Sequence, residues 1–397
     1  MYLKRTAISL EEAKEKLAGI TVTPKVVRVK SVEAHGFVLA EDLRAPFPIP
    51  AFRRSGYDGY GILAHDDEDF PREFTMVDEV GAGSTHESAL KSGECVRIMT
   101  GAKVPDDVAK VIMLEDTEAL SGNRVRILRT SAKSNITEIG EEVARDERVI
   151  PAGTRLNAGA VSVLAAFGVS EVSVYKKPRV AVVATGSELA ENARPEDGKI
   201  YNSNGPLLSG LAQENDADVT GVYELTDDLE ATRELLARLT AENDLVITTG
   251  GVSVGDFDFL AVIAQENDCL FNKLAMRPGS PTTAFLMKGK PVIALSGNPS
   301  ACFTGFWFFA EPLIRRFQGQ TTRIRPGRGI LRDGYTKKNE FDRYLNGVNG
   351  ADGVSLNGHG QSSELSSLYQ ANCFYRIPHD TAVTAGEEVA IWWIPER

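Results

Sequence analysis

The chain has 397 residues, 42% hydrophobic and 25% charged, a composition typical of a globular protein with roughly two to four domains. Its formal net charge of −11 argues against partners such as nucleic acid or an anionic membrane, which need a basic surface, although backbone amides can still bind a small anion. No segment approaches the ~18 apolar residues of a membrane span or has the apolar core of a signal peptide, so a cytoplasmic location is expected.

The first half of the chain predicts two helices and many short strands. Ser9 is a candidate N-cap for an amphipathic helix over residues 9–18, with Glu12 in the capping-box position. The proline-rich segment 45–52 cannot be helical and is expected to be an extended crossing between lobes. A second helix is predicted over 157–168. A short β-like run lies at 25–29. Four more, which indicate a mostly β lobe after residue 60, lie at 74–77, 95–99, 110–114 and 124–128.

Beyond residue 178 the pattern changes, and apolar strands alternate with helices. Strands are predicted at 179–185, 219–225, 244–249 and 291–296. Helices are predicted at 206–215, 228–241, 257–266 and 300–317. This alternation predicts a parallel sheet with helices on both faces. After residue 326 short β runs return and end in a strand at 388–394, which indicates a small all-β domain.

The predicted fold class is therefore α/β plus β. It consists of a doubly wound, mostly parallel sheet domain, an N-terminal mixed or β lobe and a small C-terminal β domain. The predicted divisions are an N-terminal linker and dimerisation region (1–45 with 145–177), an inserted β lobe (46–144), the α/β domain (178–323) and the C-terminal β domain (324–397).

Three strands of the α/β domain end in turns of small residues. In open parallel sheets, ligands bind beyond the carboxyl ends of the strands, and glycines let the backbone approach them closely. Free N–H groups at a helix start attract phosphate. Any one turn could be an ordinary β–α connection, but three in one domain predict a phosphate or oxyanion site. The turn residues are Gly186 and Ser187; Gly250, Gly251, Ser253 and Gly255; and Gly297, Asn298, Pro299 and Ser300.

Carboxylates follow the same strand ends, and they would repel a phosphate unless a cation lay between. Mg²⁺ often bridges one or two carboxylates to substrate phosphates. Glu188 and Asp256, embedded in the glycine turns, are the stronger candidates for metal ligands, with Asp258 a further one. Asp227 or Asp228 could equally cap the next helix, and Asp258 could be a solvated acid. The four cysteines form no CxxC pair, so free thiols are expected rather than a zinc site.

A cationic segment, Lys273 to Pro281, provides the opposite charge. Arg277 precedes a rigid Pro-Gly-Ser-Pro turn and could hold an oxyanion with two hydrogen bonds, although it could also be a surface arginine. The compact polar segments 55–60 and 97–102 are, when each is considered alone, more typical of turns than of binding sites.

Taken together, these motifs make the chain resemble the molybdopterin molybdenumtransferase family over nearly its whole length. The TTGGVSVGDFD and TGSEL blocks resemble the molybdopterin-binding fold, and the N-terminal blocks separate this family from the smaller adenylyltransferases that share that fold. The blocks occur in the order SGYDGYG, RIMTGAKVP, GEEV with IPAGTRL, VVATGSEL, YNSN, TTGGVSVGDFD, KLAMRPGSP, LSGNPSA and GHGQSSELSSL.

The resemblance implies an elongated homodimer whose cleft lies between the α/β domain of one subunit and the β lobe of the other. It implies that adenylylated molybdopterin and molybdate are the substrates, that Mg²⁺ is the cofactor and that AMP is released. A molybdopterin adenylyltransferase or a molybdoenzyme would be a protein partner. The implied roles are Asp58 and Thr100 facing the cleft from the partner, Glu188, Asp228 and Asp258 serving nucleotide, pterin or metal, Lys273 and Arg277 supplying positive charge, and Ser280, Pro281, Ser300 and Ser362 in the cofactor and molybdate region.

The sequence also departs from the family pattern, mainly by losing cations. Ser280 stands where the family has a second lysine, and Asn346 stands where it has an arginine, with Arg343 nearby as a possible replacement. Because each charge-assisted hydrogen bond contributes about 1.5–3 kcal/mol, we expect weaker molybdate binding. Other departures are Tyr57, Thr137, Glu138, Ile139, Glu142 and the shortened LSGNPS turn.

Two other functions stay open at this point. The altered cations favour a non-catalytic paralogue that binds molybdopterin or the cofactor as a carrier or scaffold. The shared α/β domain allows a molybdopterin adenylyltransferase, although the additional domains argue against it. No residue distinguishes molybdate from tungstate, which have nearly the same size and charge.

Overall fold

The computed structural model describes residues 5–187, 189, 198–225, 228–252 and 259–395. The chain divides into two compact units. The first unit comprises Met1–Ala40, Arg155–Asn157 and Glu171–Arg397, and the second comprises Glu41–Thr154 and Ala158–Ser170. The finer division into four parts stays a prediction.

The second unit is mostly β, as the sequence predicted. Its main sheet contains six strands in the order Val108–Met113, Gly59–Leu63, Glu94–Ile98, Arg72–Val80, Arg124–Ile127 and Thr117–Ala119. Two smaller sheets pair Ile136–Thr137 with Arg54–Ser55 and Arg148–Ile150 with Leu43–Arg44. The helix Ala158–Ala166 completes the unit, and the segment 45–52 is not helical, as expected.

The first unit begins with the capped helix that the sequence predicted. The helix runs over Leu10–Ala18, and the Ser9 hydroxyl oxygen accepts a hydrogen bond of 3.0 Å from the backbone N–H of Glu12. Its apolar face is buried in the larger core of the unit. A three-stranded sheet follows, in the order Val26–Lys30, Glu171–Tyr175 and Val38–Leu39.

The central sheet of the first unit has six strands, four of them parallel. The parallel strands are Asp218–Leu225, Arg179–Thr185, Leu245–Thr249 and Lys290–Leu295, in spatial order. Two antiparallel strands, Thr283–Met287 and Asp268–Phe271, extend the sheet at one edge. The sequence did not predict these two, because each is short and the turn-rich segment between them hides their pairing.

Helices cover both faces of this sheet. Along Arg179–Thr185 the side chains alternate, so that Val180 and Val182 enter one core while Ala181 and Val183 enter the other. The first core contains Asn204–Glu214 and the long helical run after Asn298, and the second contains Leu229–Glu242 and Phe259–Gln265. The doubly wound, mostly parallel arrangement is therefore confirmed.

The long helical run contains a π-helical turn that the sequence did not predict. It consists of Pro299–Gly305, the π turn Phe306–Ala310 and Glu311–Phe317. Pro312 cannot donate a backbone hydrogen bond, and its ring clashes with the carbonyl four residues earlier. A widened turn directly before this proline avoids that clash.

The C-terminal sheet takes one strand from an earlier part of the chain. Its strands are Met276–Arg277, Asp342–Gly350, Cys373–Ile377, Glu388–Trp393 and Arg325–Ile330, with Gly353–Leu356 paired beside them. Phe308 of the π turn packs on Tyr344, Phe374 and Trp392 of this sheet, with ring centroids 5.2–5.8 Å apart. None of the helices in the described ranges combines the length and the apolar character needed to cross a bilayer.

Candidate functional site

The three glycine turns meet at one edge of the central sheet. The Gly186 N–H donates to the Leu225 carbonyl over 3.2 Å, and the Gly250 N–H donates to the Leu295 carbonyl over 3.2 Å. Gly250 has a positive φ of 87°, and a Cβ placed there would lie only 2.0 Å from the Thr185 carbonyl oxygen. Only glycine fits this position, because any side chain would collide with the neighbouring strand end.

Asn204 joins two of these turns, and the sequence reasoning missed it as a site residue. Its amide nitrogen donates to the Thr249 hydroxyl at 2.9 Å and to the Gly297 carbonyl at 2.7 Å. Its amide oxygen is buried and has no hydrogen-bond partner in the described part of the chain. The YNSN block, which ends at this residue, was the available signal. A buried acceptor without a partner beside the glycine turns is suited to receive an N–H group of a ligand.

A second group of polar side chains surrounds the start of the long helical run. The Ser300 N–H donates to the Ser362 carbonyl over 3.0 Å, and the Asn346 amide donates to the Ser300 hydroxyl over 2.9 Å. The Asn298 amide lies 3.4 Å from the Ser362 hydroxyl. Three chain segments distant in sequence therefore bring two hydroxyls and two amides together.

The alternation of side chains along the strand Asp342–Gly350 determines which of them face the polar side chains around Ser300. Neighbouring residues of a strand point to opposite faces, so Asn346 and Arg343 lie on different sides of the sheet. Arg343 donates to the Gly360 carbonyl at 2.7 Å and to the Asn339 side chain at 3.1 Å. Arg343 therefore holds the loop that carries Ser362, and its replacement of the missing arginine stays a prediction.

The predicted cationic segment forms a tight turn near the same helix start. The Ser280 hydroxyl donates to the Leu274 carbonyl at 2.8 Å, so this hydrogen is used within the turn. Lys273 is half-buried, whereas Arg277 is exposed and lies 6.0 Å above the Phe341 ring. Within the described ranges Arg277 forms no ion pair, which leaves its guanidinium available to an anion. Pro281 is half-buried in the same turn.

In the second unit, Asp58 and Thr100 are in direct contact. One Asp58 carboxylate oxygen accepts hydrogen bonds from the Thr100 backbone N–H at 2.6 Å and from the Thr100 hydroxyl at 2.7 Å. These two bonds, first the backbone and then the side-chain one, lower the pKa of Asp58, and Arg97 lowers it further. Asp58 is thus an exposed carboxylate that stays ionised and has a second oxygen free for a ligand.

The predicted acids are only partly covered by the described residues. Asp228 caps the helix Leu229–Glu242, and one of its carboxylate oxygens accepts from the Ala231 N–H at 2.7 Å. Among the described residues, no group of three or more acids, histidines or cysteines is arranged to hold a metal. The remaining predicted residues, which lie outside the described ranges, are Glu188, Asp227, Ser253, Gly255, Asp256 and Asp258.

The cysteines are free, and burial raises the pKa values of their thiols. Burial raises the pKa of Cys95, Cys302 and Cys373 to about 12, so these thiols stay protonated near neutral pH. Cys269 is half-buried, and burial raises its pKa as well. The site as described offers backbone donors, hydroxyls, amides and cations, which suits the binding of anions rather than nucleophilic attack by the protein.

Three family profiles match successive parts of the chain. One described as MoeA N-terminal region (domain I and II) matches residues 8–168, and one described as probable molybdopterin binding domain matches 181–316. The third, described as MoeA C-terminal region (domain IV), matches 328–394.

Named relatives are similar over almost the whole sequence. The molybdopterin molybdenumtransferase of Staphylococcus aureus (strain MRSA252) is 39% identical, covering 94% of this chain and 92% of the relative. That of Staphylococcus epidermidis (strain ATCC 35984) is 38% identical, covering 95% and 93%.

Solved structures agree with these relatives in fold. A molybdopterin biosynthesis MoeA protein from Pyrococcus horikoshii superposes with a TM-score of 0.87 at 27% identity, covering 99% of this chain and 100% of that one. A second structure of a MoeA protein from Pyrococcus horikoshii OT3 gives 0.81 at 30% identity, covering 98% and 100%. The predicted fold class is confirmed, and the chain belongs to the molybdopterin molybdenumtransferase family, the enzymes of molybdenum cofactor biosynthesis.

Proposed function

We propose that this chain inserts molybdenum from molybdate into adenylylated molybdopterin, uses Mg²⁺ and releases AMP. The observation that carries the proposal is the continuity of the segment Gly297 to Ser300. A Cβ on Gly297 would lie 3.5 Å from the Gly250 Cα, so this end adjoins the glycine turns. At its other end, Ser300 is hydrogen-bonded to Asn346 and to Ser362. A phosphate-bearing ligand and an oxyanion bound at the two ends would be neighbours.

The glycine turns would hold the phosphates of the substrate. Their backbone N–H groups can approach phosphate oxygens closely because no Cβ intervenes. Asn204 would add specificity, since its unpartnered amide oxygen can accept from an N–H group of the pterin or the adenine. The phosphoanhydride bond would then be hydrolysed, so that AMP leaves. The two dithiolene sulfurs would bind molybdenum in place of oxygen ligands, which would take up the thiol protons and leave as water.

Molybdate, the second substrate, would bind beside Ser300 and Ser362. As described, the Asn346 NH₂ group faces Ser300 and the amide oxygen has no partner. If the Asn346 amide is flipped by 180°, its oxygen accepts a hydrogen bond from the Ser300 hydroxyl, and its NH₂ group becomes a donor for an oxyanion. Arg277 and Lys273 would supply the charge that Asn346 and Ser280 do not.

Carboxylates are suitable ligands for Mg²⁺, and Glu188, Asp256 and Asp258 are the residues that would hold it. Bound there, Mg²⁺ would neutralise the charge of the substrate phosphates. No nucleophile from the protein is required, which is consistent with the protonated thiols described above.

We also propose that the active form is a homodimer. The family resemblance implies that the partner subunit's Asp58 and the partner subunit's Thr100 face the cleft. There the ionised carboxylate of the partner subunit's Asp58 would orient a cation or a hydrogen-bond donor of the substrate. Four free thiols suit a reducing compartment such as the cytoplasm. A molybdopterin adenylyltransferase that supplies the substrate, or a molybdoenzyme that accepts the product, is the kind of protein partner we expect.

The test is to incubate the purified chain with adenylylated molybdopterin and Mg²⁺, with and without molybdate, and to measure AMP by chromatography. The proposal predicts AMP release that depends on molybdate and stops when the metal is chelated. Tight binding of adenylylated molybdopterin without AMP release would instead support the carrier or scaffold function that the lost cations favour. Formation of adenylylated molybdopterin from ATP would support an adenylyltransferase.

A further inference from the structure

A cationic pocket lies where the end of the long helical run meets the C-terminal sheet. Its volume is about 790 Å³, and Arg315, Arg323, Arg325 and Trp393 are among its lining residues. The helical run begins at Pro299, and Arg315 follows it by 16 residues, so at 1.5 Å per residue the pocket lies roughly 24 Å from the glycine turns. It is therefore separate from the candidate site described above.

Arg315 presents a buried donor that nothing in the described chain uses. Its side chain is only 7% exposed. One terminal nitrogen, Nη2, donates to the Gln320 side chain at 3.0 Å, while Nε lies 3.5 Å from the Thr321 carbonyl oxygen. The other, Nη1, has no hydrogen-bond partner among the described residues and lies 3.9 Å from an Asp216 oxygen. Because Nη1 is itself buried, Arg315 contributes positive charge behind the pocket wall and not a donor that is open to a ligand.

The nearby acids are already engaged. Asp216 accepts two hydrogen bonds from Arg155, at 2.8 and 2.9 Å. Glu311 accepts from the Thr322 hydroxyl at 2.6 Å and from the Arg323 backbone N–H at 2.7 Å, and burial raises the pKa of this carboxyl.

Among the residues that the structure describes, cations outnumber acids around the pocket. The two carboxylates, Asp216 and Glu311, stand against four guanidiniums, which are those of Arg155, Arg315, Arg323 and Arg325. The Arg315 side chain is only 7% exposed, so part of this positive charge is poorly solvated and favours the binding of an anion.

Arg325 and Trp393 form the open side of the pocket. They are directly opposite each other in the antiparallel pair of strands, so their side chains share a face. Arg325 is exposed, and its side chain has no hydrogen bond or ion pair within the residues the structure describes. A planar guanidinium can bind a phosphate through two hydrogen bonds, and an indole beside it offers a flat apolar surface.

We propose that this pocket is a second ligand site, which takes a phosphate dianion either free or as the phosphomonoester of an aromatic group that packs on Trp393. The Arg325 guanidinium would donate to the phosphate oxygens, and Arg315 and Arg323 would add positive charge to the pocket. The inference does not depend on the proposed molybdenum insertion, because it uses no residue of that site.

The probes are inorganic phosphate and phenyl phosphate, titrated by calorimetry into the full chain. Arg325→Gln is expected to weaken the binding of both by about tenfold, because it removes a charge-assisted pair of hydrogen bonds. Arg328→Gln is the matched control, since Arg328 lies on the same strand, bonds Glu388 at 2.9 Å and does not line the pocket. Trp393→Leu should weaken only phenyl phosphate if the aromatic ester is the ligand.

Thermal unfolding provides a second readout, because a ligand that binds only the folded state raises the melting temperature. Phosphate should raise the melting temperature of the wild type and of Arg328→Gln more than that of Arg325→Gln. Equal affinity for the two probes supports the site and identifies free phosphate as its ligand. The proposal is overturned if neither probe binds, or if Arg325→Gln and Arg328→Gln bind both probes as the wild type does.

Discussion

The Asn346 amide donates a 2.9 Å hydrogen bond to the Ser300 hydroxyl, and both side chains are buried. This contact joins the C-terminal sheet to the start of the long helical run, at the point where we propose that molybdate binds. Asn346 is neutral where the family pattern has an arginine. We therefore expect the strength of molybdate binding to depend on the residue at position 346.

Changing the charge at residue 346 should change the molybdate requirement in opposite directions. Asn346→Arg is expected to lower the apparent molybdate constant by about tenfold or more, because one charge-assisted hydrogen bond contributes about 1.5–3 kcal/mol. Asn346→Asp, which is nearly the same size, should raise it, since a carboxylate repels a dianion. The measurement is the molybdate dependence of AMP release. Equal constants for all three proteins would place molybdate elsewhere.

Ser280→Lys should also lower the apparent molybdate constant. The lysine adds a charge that the family pattern has at this turn, while the hydrogen bond from Ser280 to Leu274 is lost at a cost of about 0.5–1.5 kcal/mol. Ser280→Ala is the control, because it loses the same hydrogen bond without adding charge. If alanine and lysine shift the molybdate constant equally, the effect comes from the turn and not from the charge.

The Asp58–Thr100 contact makes a prediction about pH. Because the pKa of Asp58 is lowered in the folded state, its contribution to stability is fully present above the ordinary carboxyl pKa and is lost as the pH falls through the lower folded pKa. Thr100→Ala keeps the backbone hydrogen bond and removes the hydroxyl one. In an NMR titration, this variant should bring the pKa of Asp58 part of the way back. An unchanged pKa would mean that the hydroxyl bond is not formed in solution.

Gly250→Ala should destabilise the chain far more than Gly289→Ala. Both glycines have positive φ, 87° and 76°, so each substitution costs about 1–3 kcal/mol of backbone strain. A Cβ at Gly250 would also lie 2.0 Å from the Thr185 carbonyl oxygen, whereas one at Gly289 would meet nothing within 4 Å. Chemical denaturation measures the free energy of unfolding of both variants. Similar losses for the two would show that the turns are not packed as closely as described.

The sequence predicted most of the elements because their signals are local. The strand Arg179–Thr185 is a continuous apolar run, and Ser9 with Glu12 identifies the start of a helix within four residues. The glycine turns were found for the same reason, and the parallel sheet brings them to one edge. Motif order was sufficient to identify the family, which the comparisons confirmed.

What the sequence did not predict depends on contacts between distant residues. Met276–Arg277 pairs with Asp342–Gly350, a partner strand that follows it by more than sixty residues. The pairing of Asn346 with Ser300 cannot be deduced without that sheet. Arg343 looked equivalent to Asn346 by sequence proximity, but the alternation of side chains along the strand puts the two on opposite faces.

The central claim is that the site makes molybdenum–sulfur bonds, and molybdenum K-edge X-ray absorption measures these most directly. Adenylylated molybdopterin, Mg²⁺ and molybdate are incubated with the chain, and the spectrum is compared with that of a sample without protein. We predict that sulfur ligands replace oxygen ligands around molybdenum in step with the release of equimolar AMP. A spectrum that retains only the oxygen shell of molybdate, with the substrate bound and AMP absent, would contradict the account.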